Sequence, residues 1–202
     1  MIKPKEAIWV FSILAVYFLH RLFSYKLGIY MEECRDANAH VMVLNGMVPY
    51  RDFSSWVYGP FGLCVYPLIF KIFGVSLPVL RISYVIIGSL CVPLVYCLSR
   101  RLMPPAWSGL SAFLSVLLMD VPYYTYNHIL ATAAGLFALV FIARFLETDA
   151  RYNLFLAGVF TGIGFLVKPF LMGIGIAGAF LLFMIALRLK GKIKAAHFAI
   201  PG

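Results

Sequence analysis

Apolar residues in this chain run in long blocks separated by short charged clusters. The first block, Ala7 to Phe23, follows Lys3 and Lys5. It is about the length an α-helix needs to cross a hydrocarbon core of roughly 30 Å, provided that His20 and Arg21 emerge at its far end. A second block runs from Val79 to Leu98, bends near Pro93, and closes on Arg100-Arg101. A third starts at Pro104-Pro105 and stops at Asp120-Val121-Pro122, and a fourth runs from Asn127-His128 to near Arg144. The last block, Asn153 to Leu187, is too long for one crossing, and Lys168-Pro169 divides it almost in half. It predicts two short spans joined by a tight hairpin. Gly158, Gly162, Gly164, Gly173, Gly175 and Gly178 would let these helices approach their neighbours closely.

Residues 24–78, between the first two spans, follow a different pattern. Ala37, Val41 and Leu44 fall on one helical stripe, while Glu33, Asp36 and His40 fall on another. Such a helix rests in the plane of the membrane interface with its polar face toward water or a cavity. Gly46 is placed to cap its C-terminus, and Glu32 and Glu33 lie in its first turn, at the positive end of the helix dipole. An extended strap leads to Gly59-Pro60. Phe61 to Phe73, interrupted by Pro67, is too short to cross and predicts a second interfacial or re-entrant helix. The expected fold is therefore an all-α polytopic membrane protein, one domain over residues 1–202, with six transmembrane helices and two interfacial helices in the first external loop.

Composition supports the membrane reading. With 63% hydrophobic residues, 12% charged and a mean hydropathy of +0.93, the chain has more apolar surface than one soluble domain can bury. The net charge of +9 sits in small clusters at the ends of apolar blocks, the pattern of topology determinants, and argues against nucleic acid as a partner. An N-terminus on the cytoplasmic side puts Lys3, Lys5, Arg100, Arg101, Arg144, Arg151, Arg188, Lys190, Lys192 and Lys194 inside, as the positive-inside rule asks. The first block has no small-residue cleavage site after it and reads as a retained signal anchor. Cys91 and Cys97 lie within one apolar block; Cys34 and Cys64 lie outside the spans and could pair, but no repeated spacing supports it, and no zinc spacing exists.

The titratable residues collect in the opposite, external half. Glu32, Glu33, Asp36 and Asp52 make up half of the eight acidic residues. Glu32 reads either as a general base or as a helix cap, and Glu33 projects about 100° round the helix from it. Glu33, Asp36 and His40 could together hold a divalent cation such as Mg or Mn, or be solvated charge. Lys168 interrupts an apolar run, so it either snorkels to the interface or serves a polar cavity. Arg35 is the other candidate for binding an anion. Arg81 reads as an interfacial anchor paired with a loop carboxylate, or as a further phosphate ligand. His128, beside Tyr123, Tyr124 and Tyr126, either orients a substrate or is a satisfied interfacial residue. Asp52 is expected to pair with Arg51.

Glu32-Glu33, Gly46, Pro49-Tyr50-Arg51-Asp52-Phe53 and Gly59-Pro60, in this order and spacing, resemble the GT-C glycosyltransferases. The likeness is closest to the bacterial group related to the lipid A aminoarabinose transferases and the protein O-mannosyltransferases. Phe73-Gly74-Val75-Ser76 with Leu80-Arg81, and Gly162 through Pro169, look like further motifs of that family. The resemblance implies an inverting transfer of a sugar from a polyprenyl phosphate to a lipid, glycan or protein acceptor at the external face of the bacterial inner membrane. It assigns catalysis to Glu32 and Glu33, donor phosphate binding to Arg35, Lys168 and Arg81, and substrate orientation to Asp36, His40 and His128. The chain departs from the family in having Glu32 where an Asp is usual, and Asn127-His128, with Asp120 upstream, where the second external loop often carries an acid. It stops after six spans, at Ile200-Pro201-Gly202, where relatives continue, which suggests the N-terminal portion of a longer protein. Two other classes stay open: a lipid-linked sugar flippase or transporter, which would need paired repeats that residues 1–100 and 101–202 do not display, and a non-catalytic membrane subunit.

Overall fold

A computed structural model describes residues 4–24, 31–54, 59–118 and 126–168, with Gly178, Leu181 and Met184 beyond them. Among the described residues the chain is all-helical: α1 (Pro4–Ser24), α2 (Met31–Leu44), α3 (Gly62–Phe73), α4 (Leu77–Leu102), α5 (Pro105–Leu118), α6 (Tyr126–Thr148) and α7 (Arg151–Val167). The expected blocks are recovered within a few residues. The largest shifts are at the ends of α4 and α6, which run about a turn beyond Leu98 and Arg144. The expected sixth span lies outside the described residues, apart from Gly178, Leu181 and Met184.

Local chemistry explains where these helices begin and end. Ser76 caps α4 by accepting from the Val79 amide at 3.3 Å. Pro78 sits in the first turn, where its missing N–H costs no helical hydrogen bond, whereas Pro93 lies inside the helix. Gly46 ends α2 in a left-handed conformation, φ +86. Its N–H donates to Val43 and that of Met47 to Met42, the paired bonds of a Schellman motif. Asp149, also left-handed at φ 52, turns the chain between α6 and α7, and Asn153 Nδ2 donates to Thr148 Oγ1 across that turn.

Helix α4 is the central post, packed by α1, α3, α5 and α6, and α7 lies along α6. Tyr17, Tyr66, Leu80, Cys91, Val92, Tyr96, Val116 and Ile129 form its buried surroundings. Tyr17 crosses α4 at Gly88, where a Cβ would collide with the phenol oxygen. Phe160 of α7 stacks on Phe137 and Phe141 of α6, with ring centroids 4.8 and 5.6 Å away. Among the described residues two helices, Leu77–Leu102 and the Asn127–Thr148 stretch, are long and apolar enough to cross a membrane. Ile8, Phe11, Leu19 and Phe23 on α1, Ile82 and Ile86 on α4, Trp107 on α5 and Phe155 on α7 all point outward. An exterior of that kind is what hydrocarbon solvates.

Arg21 departs from the sequence reading. It was expected to emerge at the end of the first span, yet it is only 6% exposed. Its Nη2 donates to Tyr84 Oη at 3.1 Å, and its guanidinium lies over the Tyr17 and Tyr84 rings. Tyr17 and Arg21 share one face of α1 at i, i+4. Two aromatic faces and a phenol therefore replace the water the cation gives up.

The bundle has two chemically different ends. The N-termini of α1, α5 and α7 and the C-termini of α4 and α6 share one end, tied by Glu6 to Arg100 at 2.9 Å and Glu147 to Arg101 at 2.8 Å. The other end holds α2, α3, the start of α4 and α6, and the end of α7. All the candidate site residues lie there.

Candidate active site

Helix α2 is held on the bundle by two contacts. Glu33 accepts from Arg81 of α4 through both carboxylate oxygens, Nε at 2.6 Å and Nη2 at 2.7 Å, a bidentate pair with only 7% and 15% of the side chains exposed. One helical turn and more further on, His40 packs on Tyr66 of α3 with ring centroids 4.9 Å apart, and on Phe70 at 6.5 Å. The polar face of α2 is therefore turned inward: Glu33, Asp36 and His40 are all buried, and Ala37, Val41 and Leu44 are only partly so. The expected short helix is present, with Ala37, Val41 and Leu44 packed against the core, but Glu33 and His40, expected to face water or a cavity, are packed against α4 and α3.

The same contacts sort the sequence candidates. Arg81 is engaged by Glu33, so its charge holds α2 in place. Neither ring nitrogen of His40 has a hydrogen-bond partner, and burial pushes its pKa down to about 4, which keeps the ring neutral. Glu32 lies in the first turn of α2, one residue before the clamped Glu33. No three His, Cys, Asp or Glu side chains among the described residues gather as a metal-binding set, and Glu33, Asp36 and His40 do not form one. Asp52 accepts from Arg51 at 2.8 Å and from the Val48 amide at 2.7 Å, as the strap requires. Cys34, Cys64, Cys91 and Cys97 are free thiols.

The remaining candidates converge. Lys168, 7% exposed, follows the last residue of α7, and its Nζ lies against His128 of α6, contacting Nε2 and reaching Nδ1 at 3.3 Å. An ammonium has no lone pair, so the imidazole must be neutral and accept. Burial lowers the pKa of Lys168; Asp36 opposes that shift and Arg35 adds to it. The charge of Arg35 acts on His128 as well, and Arg35 Nε lies 3.5 Å from Asp36 Oδ1. Three separate elements thus bring Arg35, Asp36, His128 and Lys168 into one electrostatic neighbourhood. Within this neighbourhood Arg35 and Lys168 are cations and Asp36 is the buried carboxylate, a balance that favours an anion on the buried Lys168 side. Arg35 is the open side of the cluster, with 54% of its side chain exposed.

The sequence matches the dolichyl-phosphate-mannose-protein mannosyltransferase family over residues 58–200. The chain belongs to that family. Its members are membrane glycosyltransferases of the GT-C type. No curated protein and no solved structure matches the chain. The family match takes in α3 to α7, with Arg81, His128 and Lys168, while Glu32, Glu33, Arg35, Asp36 and His40 lie before it. An apolar groove of about 310 Å³ between α1 and α5, lined by Trp9, Ile13, Val16 and Phe113 among others, lies apart from these charged groups.

Sequence reasoning missed two features of this mannosyltransferase-family site. One is the burial of Arg21, for which the i, i+4 pairing with Tyr17 was the available signal. The other is the close seating of Gly59 and Gly62 against α7 and α6, signalled only by the Gly-Pro-Phe-Gly run.

Proposed function

We propose that this protein is an inverting glycosyltransferase that takes a sugar from a polyprenyl phosphate carrier at the external face of the membrane, in the manner of the bacterial aminoarabinose and protein O-mannosyl transferases. The observation that carries this reading is buried Lys168 seated against His128 at the end of the bundle where Arg35 and Asp36 also lie. Transfer converts a phosphodiester into a phosphomonoester, so negative charge grows on the leaving group as the bond to sugar C1 breaks. Fixed cations in a water-poor setting stabilise that growth. Lys168 and Arg35 are assigned to the phosphate, with His128 orienting Lys168. The acceptor is a hydroxyl-bearing lipid, glycan or protein.

Glu32 is assigned as the general base. Glu33 is unsuited to that task because a carboxylate gripped at both oxygens by a guanidinium is stabilised as the anion and is a poorer proton acceptor. Glu32 lies in the same first turn of α2, and its proton uptake must accompany attack of the acceptor oxygen on C1, since a carboxylate is a weak base toward an alcohol. The test is turnover of a polyprenyl phosphate-linked sugar by the full chain. Glu32→Gln should lower kcat by about 10²-fold or more with donor KM nearly unchanged. Retention of wild-type kcat in Glu32→Gln would remove the base from this residue.

A further inference from the structure

The turn from Gly59 to Gly62 touches the bundle at two places, and each is one residue from a member of the Lys168–His128 pair. Gly59 N–H donates to the Val167 carbonyl at 2.8 Å, and Phe61 N–H donates to that of Leu166 at 3.2 Å. Those carbonyls belong to the last turn of α7, where a helix has no partners of its own to offer them. The strap supplies the donors, and Lys168 is the next residue. On the other side Gly62 is pressed on Asn127, the residue before His128.

Both contacts require glycine. A Cβ on buried Gly59 would collide with the Leu166 carbonyl oxygen, and one on Gly62 would collide with Asn127 Oδ1 while touching Val167 Cγ1 at 3.7 Å. The first obstacle is backbone and can yield only if α7 shifts or the strap lifts. The second is a side chain. Gly158 and Gly162 within α7 have nothing within 4 Å of such a Cβ.

We propose that the Gly59–Gly62 turn is a backbone latch, and that Gly59 and Gly62 are positioning residues that hold the end of α7 and the start of α6 so that Lys168 meets His128. The inference rests on the assignment of Lys168 to the donor phosphate. It adds that the strap, and not α6 and α7 alone, sets the geometry of that site. A shift of about 1 Å at a site of this kind can cost as much as 10²-fold in function, so the latch need move little to be felt.

The test is binding of a sugar-free polyprenyl phosphate to the full chain in nanodiscs, with thermal unfolding followed alongside. Lys168→Met should weaken binding by about tenfold or more. Gly59→Ala should weaken it by about tenfold, and the Gly59→Ala, Lys168→Met double variant should lose no more than about twofold beyond Lys168→Met alone, because the two act through one group. Gly62→Ala should also bind weakly, and adding Asn127→Ala should restore binding to within about threefold of wild type by removing the obstacle. Gly158→Ala should bind like wild type. A stability loss without this coupling and rescue would show the turn to be structural only and would overturn the latch. Wild-type binding by folded Gly59→Ala and Gly62→Ala beside a weakened Lys168→Met would overturn the latch alone. Wild-type binding by Lys168→Met would overturn the phosphate assignment and the latch with it. If Gly59→Ala yields no folded protein, the Gly62 and Asn127 variants decide the matter.

Discussion

The two ends of the helical bundle hold similar residues in dissimilar surroundings. At one end Arg101 pairs with Glu147, whose side chain is 51% exposed, and Arg100 pairs with Glu6. At the other end Arg81 pairs with Glu33, 7% exposed, Arg21 is enclosed by two tyrosines, and Lys168 is packed against His128. The exposed Glu147 carboxylate makes its pair a screened one that contributes little, whereas removing Arg81 takes a bidentate guanidinium from a carboxylate that is only 7% exposed. The first end ties helices together and reads as topology. The second concentrates charge beneath two short helices, α2 and α3, which is where binding and chemistry are assigned.

The sharpest way to break this contrast is at Glu33. Arg81→Met should destabilise the protein by about 3–5 kcal/mol in a denaturant titration in detergent, because the buried Glu33 carboxylate would lose its bidentate guanidinium. The double replacement of Glu33 and Arg81 by Met should recover much of that loss. If Arg81→Met costs less than about 1 kcal/mol, α2 is not anchored through this pair and the difference between the ends disappears.

A smaller effect is expected at His40, and its sign follows from burial. The folded pKa near 4 lies below the ordinary 6.5, so the unfolded state binds more protons between those values. The contribution of neutral His40 is fully present above about pH 6.5 and is lost as pH falls toward 4, by up to roughly 3 kcal/mol. His40→Phe keeps a ring against Tyr66 and Phe70 and removes two buried nitrogens without partners. It should flatten that part of the stability profile and leave stability at neutral pH equal or higher. An unchanged slope would place the acid sensitivity elsewhere.

The smallest effect belongs to the exposed end. Glu147→Gln should change stability by less than about 1 kcal/mol and should do less still in high salt. A larger, salt-independent loss would mean that the Arg101–Glu147 pair is as integral as Glu33–Arg81.

Much of the helical framework was legible because each apolar block has its own stop signal. Arg100-Arg101 closes α4, Pro104-Pro105 opens α5, Gly46 ends α2, and Lys168 ends α7. The α6 boundary was less legible because Arg144, read as a terminus, is followed by another turn that can stay helical through Thr148. The candidate site was legible as an inventory but not as an arrangement. Glu33, Asp36 and His40 share a face by spacing alone, yet spacing is silent on whether that face meets water or protein. Arg81 was weighed for two roles, and only the distance to Glu33 separates them.

What the sequence by itself determined is what depends on neighbours along the chain: helix periodicity, caps, the end of α7 at Lys168, and the division into charged clusters and apolar blocks. Tertiary structure alone decided which charges meet. Lys168 and His128, Glu33 and Arg81, and Gly59 and Leu166 are far apart in sequence, and their contacts depend on how whole helices pack. The physical reason is that burial and Coulomb interaction act through space. One lysine in an apolar run therefore reads equally well as turned outward or inward, and only the packing of α6 and α7 seats Lys168 against His128.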